Sequence, residues 1–521
     1  MRLPWLVAAT AVAVACAAPS ASQEADVLAP TAGAAGAERA APSAAPAEAE
    51  PERPEAPKPE EHDGPRIGSI GFRTWIWPEP NRKRDRLAIG AIRVGTSVRL
   101  KSTEPVPGSG CNKSWYAVEP HGFVCADETT TRAFDTPYWR ALASLRPGPG
   151  PYPYRYAFSF GAPMYSRVPT EAEQKAGESD MPKQTDEFHT LGKWSEGHEQ
   201  LVLKNPKDRP KPDGPQPAFF EGNKPIPGSP WNPAVPRVKI IPAGSGFAYA
   251  RVFEANSRVW LLTPDLFLVP ADRVFPYERS SFRGVELGGD RTLPLAWVRA
   301  PEGAPRLERD GEAFRDSGKR FEPRKPVFLT GERVTVKKTT WWEAKGGGWL
   351  IDGDTVSVVE PPKALKHGVK PDERWIEASI LGGTMTAYEG LTPKYATMWS
   401  PGLGGVPVKG NNSKTFATTE VGIFPIQWKD AVETMSPDPG APTVFWFADV
   451  PWIQYVHAPM AMHVAYWHER FGYPMSAECL NVSAADGQWL FDFTLPKLPP
   501  GWGSVGAGRQ NGPSTKINIT P

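Results

Sequence analysis

The sequence predicts a mainly β, multi-domain protein, and three observations carry that reading. The chain has 521 residues, enough for about three or four domains that each bury a core. Its 60 prolines and 49 glycines demand many turns and leave room for few long helices. Its apolar residues recur in short alternating runs bounded by turn residues, as half-buried strands require. Lys and Arg number 59 against 58 Asp and Glu, a net charge of +1. The two signs are interspersed, so nothing in the charge pattern points to a nucleic-acid partner. The 20 tryptophans suit β-rich cores and equally suit stacking on sugars.

Residues 1–16, MRLPWLVAATAVAVAC, carry one early arginine, a short apolar run and small residues at the end. That is the form of a secretory signal, too short for an ordinary membrane span. Ala13-Val14-Ala15-Cys16 resembles a lipobox, which would make Cys16 the site of lipidation; Ala-x-Ala also suits ordinary cleavage. Both imply export, and the lipobox implies a periplasmic lipoprotein attached to the membrane through its lipid anchor. Residues 17–65 are almost all Ala, Pro, Glu and Ser. They cannot bury enough surface to offset ordering entropy and are expected to be a disordered linker. At about 3.1 Å per residue it would reach at most roughly 150 Å.

Within 66–130, TWIW (74–77), VGTSVRL (94–100), SWYAV (114–118) and GFVC (122–125) read as short strands. Their order resembles a bacterial SH3-like barrel. Residues 131–290 read as a β-rich module with a Pro-rich insertion. The pattern returns more loosely at 291–362, a second SH3-like module, in Val334-Thr335-Val336, Trp341-Trp342-Glu343 and Gly348-Trp349-Leu350-Ile351. Of the four cysteines, Cys111 and Cys125 flank one hairpin, and an oxidising compartment would let them pair as a disulfide. Removal of Cys16 by processing would then leave Cys479 as a lone thiol, a flag for reactivity.

The segment 455–494, YVHAPMAMHVAYWHERFGYPMSAECLNVSAADGQWLFDFT, carries the chemistry. It holds three of the eight histidines together with Cys479. Ser483 and Asp486 have the spacing of a capping box, which starts a short helix. Cys479 is thus expected in a turn between extended chain and that helix, where backbone N–H groups can hold an oxyanion. A thiol of pKa ~8.5 needs a base beside it to act as a nucleophile. His463, sixteen residues earlier, is the first candidate, followed by His468 and His457. The same segment, with Glu469 and Glu478, leaves a zinc hydrolase open as a competing enzyme class. Glu187, His189, His198 and Glu199 fit no compact site, and no metal or cofactor is expected. Gly501-x-Gly503-x-x-Gly506 has neither a strand before it nor a helical pattern after it, so it is no dinucleotide fingerprint.

Residues 373–503 resemble the YkuD-type L,D-transpeptidases, and 504–521 read as a tail. The matching letters are His463, then Ser476-Ala477-Glu478-Cys479-Leu480-Asn481, with flanks VPWIQY, AYWH, FGYP and LNVSAADGQWLFDFT. Upstream, Arg374-Trp375-Ile376-Glu377 and Thr386-Ala387-Tyr388-Glu389-Gly390 match the opening strand pair. Thr419-Glu420-Val421-Gly422-Ile423-Phe424 stands where the family reads Thr-Pro-x-Gly-x-Phe. The resemblance implies a C-terminal β domain with a short helix after the nucleophile. It implies Cys479 as nucleophile and His463 as general base, oriented by the Val464 carbonyl. N–H groups of Glu478 and Cys479 would hold the oxyanion, Ser476 and Asn481 would brace the loop, and Tyr466, Trp467 and His468 would line the substrate cleft. The implied partners are peptidoglycan stem peptides and an acceptor amine or protein, and the implied product is a 3→3 cross-link. The family's His-Gly before the cysteine is Ala477-Glu478 here. A glycine needing positive φ would be replaced at a steric cost, and a carboxylate beside the thiol disfavours thiolate. The alternative reading is therefore a weakened or inactive peptidoglycan-binding scaffold.

Overall fold

The computed structural model describes residues 64–82, 88–181, 201, 203, 208–224, 226–230, 237–336, 338–365, 368–436 and 446–521. The signal segment with Cys16, linker residues 17–63, and Glu187, His189, His198 and Glu199 lie outside the described residues. The described chain is mainly β and contains no closed barrel. Among the described residues, no helix is long and apolar enough to cross a membrane.

Two sheets enclose the C-terminal core. In the six-stranded sheet, Val285–Glu286, Thr392–Met398, Thr384–Glu389, Arg374–Ser379, Lys516–Thr520 and Gly422–Pro425 lie side by side in that order. Residues 504–521, expected as a tail, are integral to the structure. Lys516–Thr520 pairs in parallel with Arg374–Ser379, and Ile517 and Ile519 are buried between the sheets. Truncating either to alanine would cost about 2–5 kcal/mol. A parallel partner about 140 positions away in sequence leaves no local turn signal, so the alternation in KINIT carried too little weight.

The second sheet runs across the expected module boundaries. Its order is Val274–Pro276, Arg155–Ser159, Gly246–Tyr249, Phe447–His457, Trp428–Met435, Ser504–Gly506, Gly90–Arg93 and Arg73–Ile76, with Met460–Val464 and Leu480–Val482 branching from Phe447–His457. The N-terminal module has its expected strands, but Gly90–Arg93 pairs with Ser504–Gly506 rather than closing a barrel on itself. Cys111 and Cys125 form a disulfide across the Ser114–Ala117/Phe123–Ala126 hairpin. Residues 295–359 make a seven-stranded antiparallel sheet that ends in Leu295–Val298 and Val356–Val359. Its hairpins project into solvent.

This arrangement buries Met460–Val464 on both faces. Met460 and Met462 enter the core formed with Ile376, Ala387, Leu490 and Ile517. Ala461 and Val464 enter another with Tyr156, Phe158, Phe447 and Tyr466. A strand covered on both faces reads as a continuous apolar run rather than a strict alternation, as MAMHV does.

Candidate active site

Strand pairing sets the relation between Cys479 and His463. Met460–Val464 and Leu480–Val482 run parallel, with Met462 opposite Leu480, His463 opposite Asn481 and Val464 opposite Val482. Successive residues of a strand face opposite ways. Leu480 and Val482 point into the core between the two sheets, so Asn481 takes the other face, with His463 beside it. Cys479 ends the turn that immediately precedes this strand, two residues before Asn481.

His463 is 1% exposed. Its Nδ1 lies 3.0 Å from the carbonyl oxygen of Val464. A carbonyl only accepts, so Nδ1 carries the proton and Nε2 the lone pair. Nε2 is buried and has no hydrogen-bond partner among the described residues. Burial pushes the imidazole down to about 4, against the Val464 bond, which raises it. The ring is therefore neutral at pH 7. A neutral imidazole can accept a proton at Nε2, but no imidazolium is preformed.

Cys479 is fully buried. Its sulfur is disulfide-bonded. Its Sγ lies 3.8 Å from the carbonyl oxygen of Pro459. The turn before it is braced at Ser476, whose hydroxyl donates to the Cys479 carbonyl at 2.5 Å. The amides of Met475 and Ser476 donate to Pro401, and Leu403 donates to Ser476. Asn481 and Ser400 exchange both backbone bonds, at 2.8 and 3.0 Å. Residues 400–403 therefore hold the Cys479 turn from outside, a role that no spacing in the sequence marked.

The departure at Ala477-Glu478 is accommodated differently from expectation. Glu478 is not among the residues with positive φ, so no steric cost arises. Its side chain is 3% exposed, and burial is the first cause raising its pKa. The carboxyl faces Ser413, Lys414, Glu420 and His457, and the His457 ring in turn lies 3.3 Å from Glu420. The two departures from the family's letters, Glu420 and Glu478, are thus neighbours in space.

Tyr466, Trp467 and His468 are all buried and do not line an open cleft. Tyr466 stacks on Tyr156 at 4.0 Å and donates to the Ala448 carbonyl. Trp467 stacks on Phe447 at 3.9 Å, with its ring 5.7 Å from His463. The 131–290 module, through Tyr156, covers this side, and the sequence held no signal for that docking. His468 accepts from the Arg470 amide at Nδ1, and its Nε2 lies 3.2 Å from the Asn481 side-chain amide. With Nδ1 accepting, Nε2 carries the proton and calls for an acceptor. Asn481 supplies one when its amide is turned to present Oδ1, which otherwise lies buried without a partner. Asn481 thus links His468 to the strand position opposite His463.

After Cys479, Ser483 caps the helix Ala484–Phe493 by accepting from the Asp486 amide at 3.2 Å. The Asp486 carboxylate accepts from the Gly284 amide at 2.7 Å, the Tyr395 hydroxyl at 2.7 Å and the Thr397 hydroxyl at 2.6 Å. The expected capping box is half present: the hydroxyl does its part, while long-range donors hold the carboxylate. Among the described residues, no three His, Cys, Asp or Glu side chains converge as metal ligands.

No protein-family profile and no curated protein matches the chain. Among solved structures, it is similar to an L,D-transpeptidase (residues 123–326) from Xylanimonas cellulosilytica, at 18% identity and a TM-score of 0.20. That match covers 31% of this chain and 64% of the other, just under two thirds of its length. The catalytic domain of an E. faecium L,D-transpeptidase is 15% identical, with 28% of this chain and 97% of that one covered and a TM-score of 0.21. L,D-transpeptidase 3 from Mycobacterium tuberculosis is 13% identical, with 37% and 79% covered and a TM-score of 0.22. Likenesses this slight carry no argument about chemistry, which stands on the residues.

Proposed function

We propose that this chain is an exported cysteine acyltransferase of the L,D-transpeptidase type, acting on peptidoglycan stem peptides. The observation that carries the reading is the buried Nε2 of His463, without a partner among the described residues, on the strand paired with Leu480–Val482, which Cys479 immediately precedes. The reaction needs Cys479 as the reduced thiol. His463 Nε2 takes the Sγ proton as Sγ attacks the carbonyl before the terminal D-alanine of a tetrapeptide stem. Amides of Glu478 and Cys479 hold the oxyanion. The C–N bond breaks, D-alanine leaves with the proton returned by His463, and a thioester remains. The amine of a neighbouring stem's diamino acid then attacks. A new amide forms, the C–S bond breaks, and the amine proton returns through His463 to sulfur. The product is a 3→3 cross-link, or an acceptor protein joined to the stem. The lipobox at Cys16 would tether the enzyme to the membrane, with the linker spanning toward the wall.

Cys479→Ala and His463→Ala variants, assayed for D-alanine release under reducing conditions, test this reading. Both should lose release while staying folded, and undiminished release from Cys479→Ala would overturn it. A second reading, a wall-binding scaffold without turnover, is favoured by one observation: Cys479 is wholly buried and disulfide-bonded. It predicts sedimentation with peptidoglycan and no D-alanine release by the reduced protein.

A further inference from the structure

Residues 468–473 form one wall beside the Cys479 turn, and groups from another module hold much of that wall. Arg299, just after the Leu295–Val298 strand, donates from one guanidinium nitrogen to the carbonyls of Leu381 at 3.1 Å and Gly472 at 3.2 Å. Its other terminal nitrogen donates to Gly353 at 3.3 Å. Its guanidinium carbon lies 5.6 Å from the Tyr473 ring centroid. Gly472 packs closely here because Gly383, at φ +58°, has no Cβ: one there would come within 2.3 Å of the Gly472 oxygen.

Arg324 lies in the turn between Ala313–Phe321 and Pro326–Val336 and makes an ion pair with Glu469. Its backbone sits at φ +58°, a left-handed conformation that costs a non-glycine residue of order 1 kcal/mol. Its amide donates to Val298 at 2.8 Å, which sets the two arginines side by side. The Glu469 carboxylate is 14% exposed; the Ser280 hydroxyl donates to it, and Arg324 supplies the charge that offsets its desolvation.

The grip connects to the chemistry through a chain of contacts. Glu469 adjoins His468, whose Nε2 meets Asn481 at 3.2 Å. The Ser400 hydroxyl donates to the Arg470 carbonyl at 3.0 Å, and the Ser400 backbone clamps Asn481. Asn481 stands opposite His463 and two residues after Cys479.

We propose that Arg324 and Arg299 are positioning residues for acyl transfer: they hold residues 468–473 so that His468 keeps Asn481, and with it the Cys479 turn, in register with His463. The 291–362 module is then a working part of the catalytic unit as well as a spacer. This inference rests on the acyl-transfer reading of the same site.

The test uses the full, reduced chain. Arg324→Gln, Glu469→Gln and the charge swap Arg324→Glu/Glu469→Arg are compared for acylation of Cys479 by a stem tetrapeptide, followed by intact mass. Arg333→Gln, which removes the exposed Arg333–Glu360 pair of the same module, serves as the control. The two single variants should lower the maximal acylation rate by roughly 3- to 30-fold with little change in KM, measured well below the unfolding midpoint of each. The swap should recover most of the rate, and the control should match wild type. Amide exchange at 468–473, read without turnover, should quicken in the single variants and return in the swap. Wild-type rates in Arg324→Gln, or equal losses in the control, would overturn the inference. An unacylated wild type would overturn the acyl-transfer reading instead, and the exchange data would still decide whether Arg324 holds the loop.

Discussion

Lys429 offers the most demanding prediction, because a fully buried lysine without a carboxylate partner among the described residues has to be held by neutral groups. Its Nζ donates to the carbonyls of Phe491 at 2.6 Å, Thr494 at 3.2 Å and Pro496 at 3.0 Å, and to the Thr494 hydroxyl at 3.0 Å. It also lies 4.2 Å from the Phe491 ring centroid. These oxygens are the C-terminal end of the helix Ala484–Phe493 and the turn after it, where carbonyls lack intrahelical partners and favour a cation. Lys429→Met keeps the stem but strands the Phe491, Thr494 and Pro496 carbonyls, because the Thr494 hydroxyl donates to Gln454 at 2.5 Å. Each stranded carbonyl costs about 1–3 kcal/mol, so the loss should be about 3–9 kcal/mol. Amide exchange of the last helical turn, measured by mass spectrometry, should quicken more than tenfold. The pH dependence follows with a definite sign. Burial is the first cause pushing Lys429 down to about 7, while the unfolded chain titrates near 10.4. Between those values the unfolded state binds more protons, so this group makes stability rise with pH, by at most about 1.4 kcal/mol per unit. That slope should vanish in Lys429→Met. Unchanged protection in the variant, or the same slope in both proteins, would refute the reasoning.

Three further outcomes are expected. Asp486→Ala strands the Gly284 amide and the Tyr395 and Thr397 hydroxyls and should cost about 3–6 kcal/mol by denaturant unfolding. Asp486→Asn keeps an acceptor for two of these donors and an N–H for the Thr397 oxygen, so it should cost well under half as much. The acid limb of Cys479 acylation should fall near pH 4, where His463 gains its proton, rather than near 6.5; a midpoint at 6.5 in the rate profile would show that His463 is not buried during turnover. Replacing Ala477-Glu478 by His-Gly should change acylation less than tenfold, because Glu478 holds ordinary backbone and packs toward Lys414 and His457; a gain of a hundredfold or more would mean that the native loop is impaired.

The candidate site was legible because its parts are local in sequence. His463, the Cys479 turn and the Ser483 cap fall within about twenty residues, and each uses chemistry tied to residue type. The antiparallel neighbours Arg374–Ser379 and Thr384–Glu389 were legible for the same reason, since a short turn joins them. What escaped was set by distance along the chain. Lys516–Thr520 reaches its partner across the whole domain, and the N-terminal strands join the large sheet through Ser504–Gly506. Lys429 sits in an alternating strand where a lysine ordinarily faces water, and only the helix end folded over it makes the position buried. The Tyr156–Tyr466 stack likewise turned residues expected to line a cleft into the floor of a module interface.

The central claim is that Cys479 is an acyl-accepting nucleophile served by His463. Its most direct test is the intact mass of the reduced full chain after incubation with a peptidoglycan tetrapeptide donor. The account predicts an adduct that has lost D-alanine, maps to Cys479, and is absent from Cys479→Ala and His463→Ala. Folded, reduced protein that still sediments with peptidoglycan yet forms no adduct would contradict it and leave the wall-binding scaffold as the function.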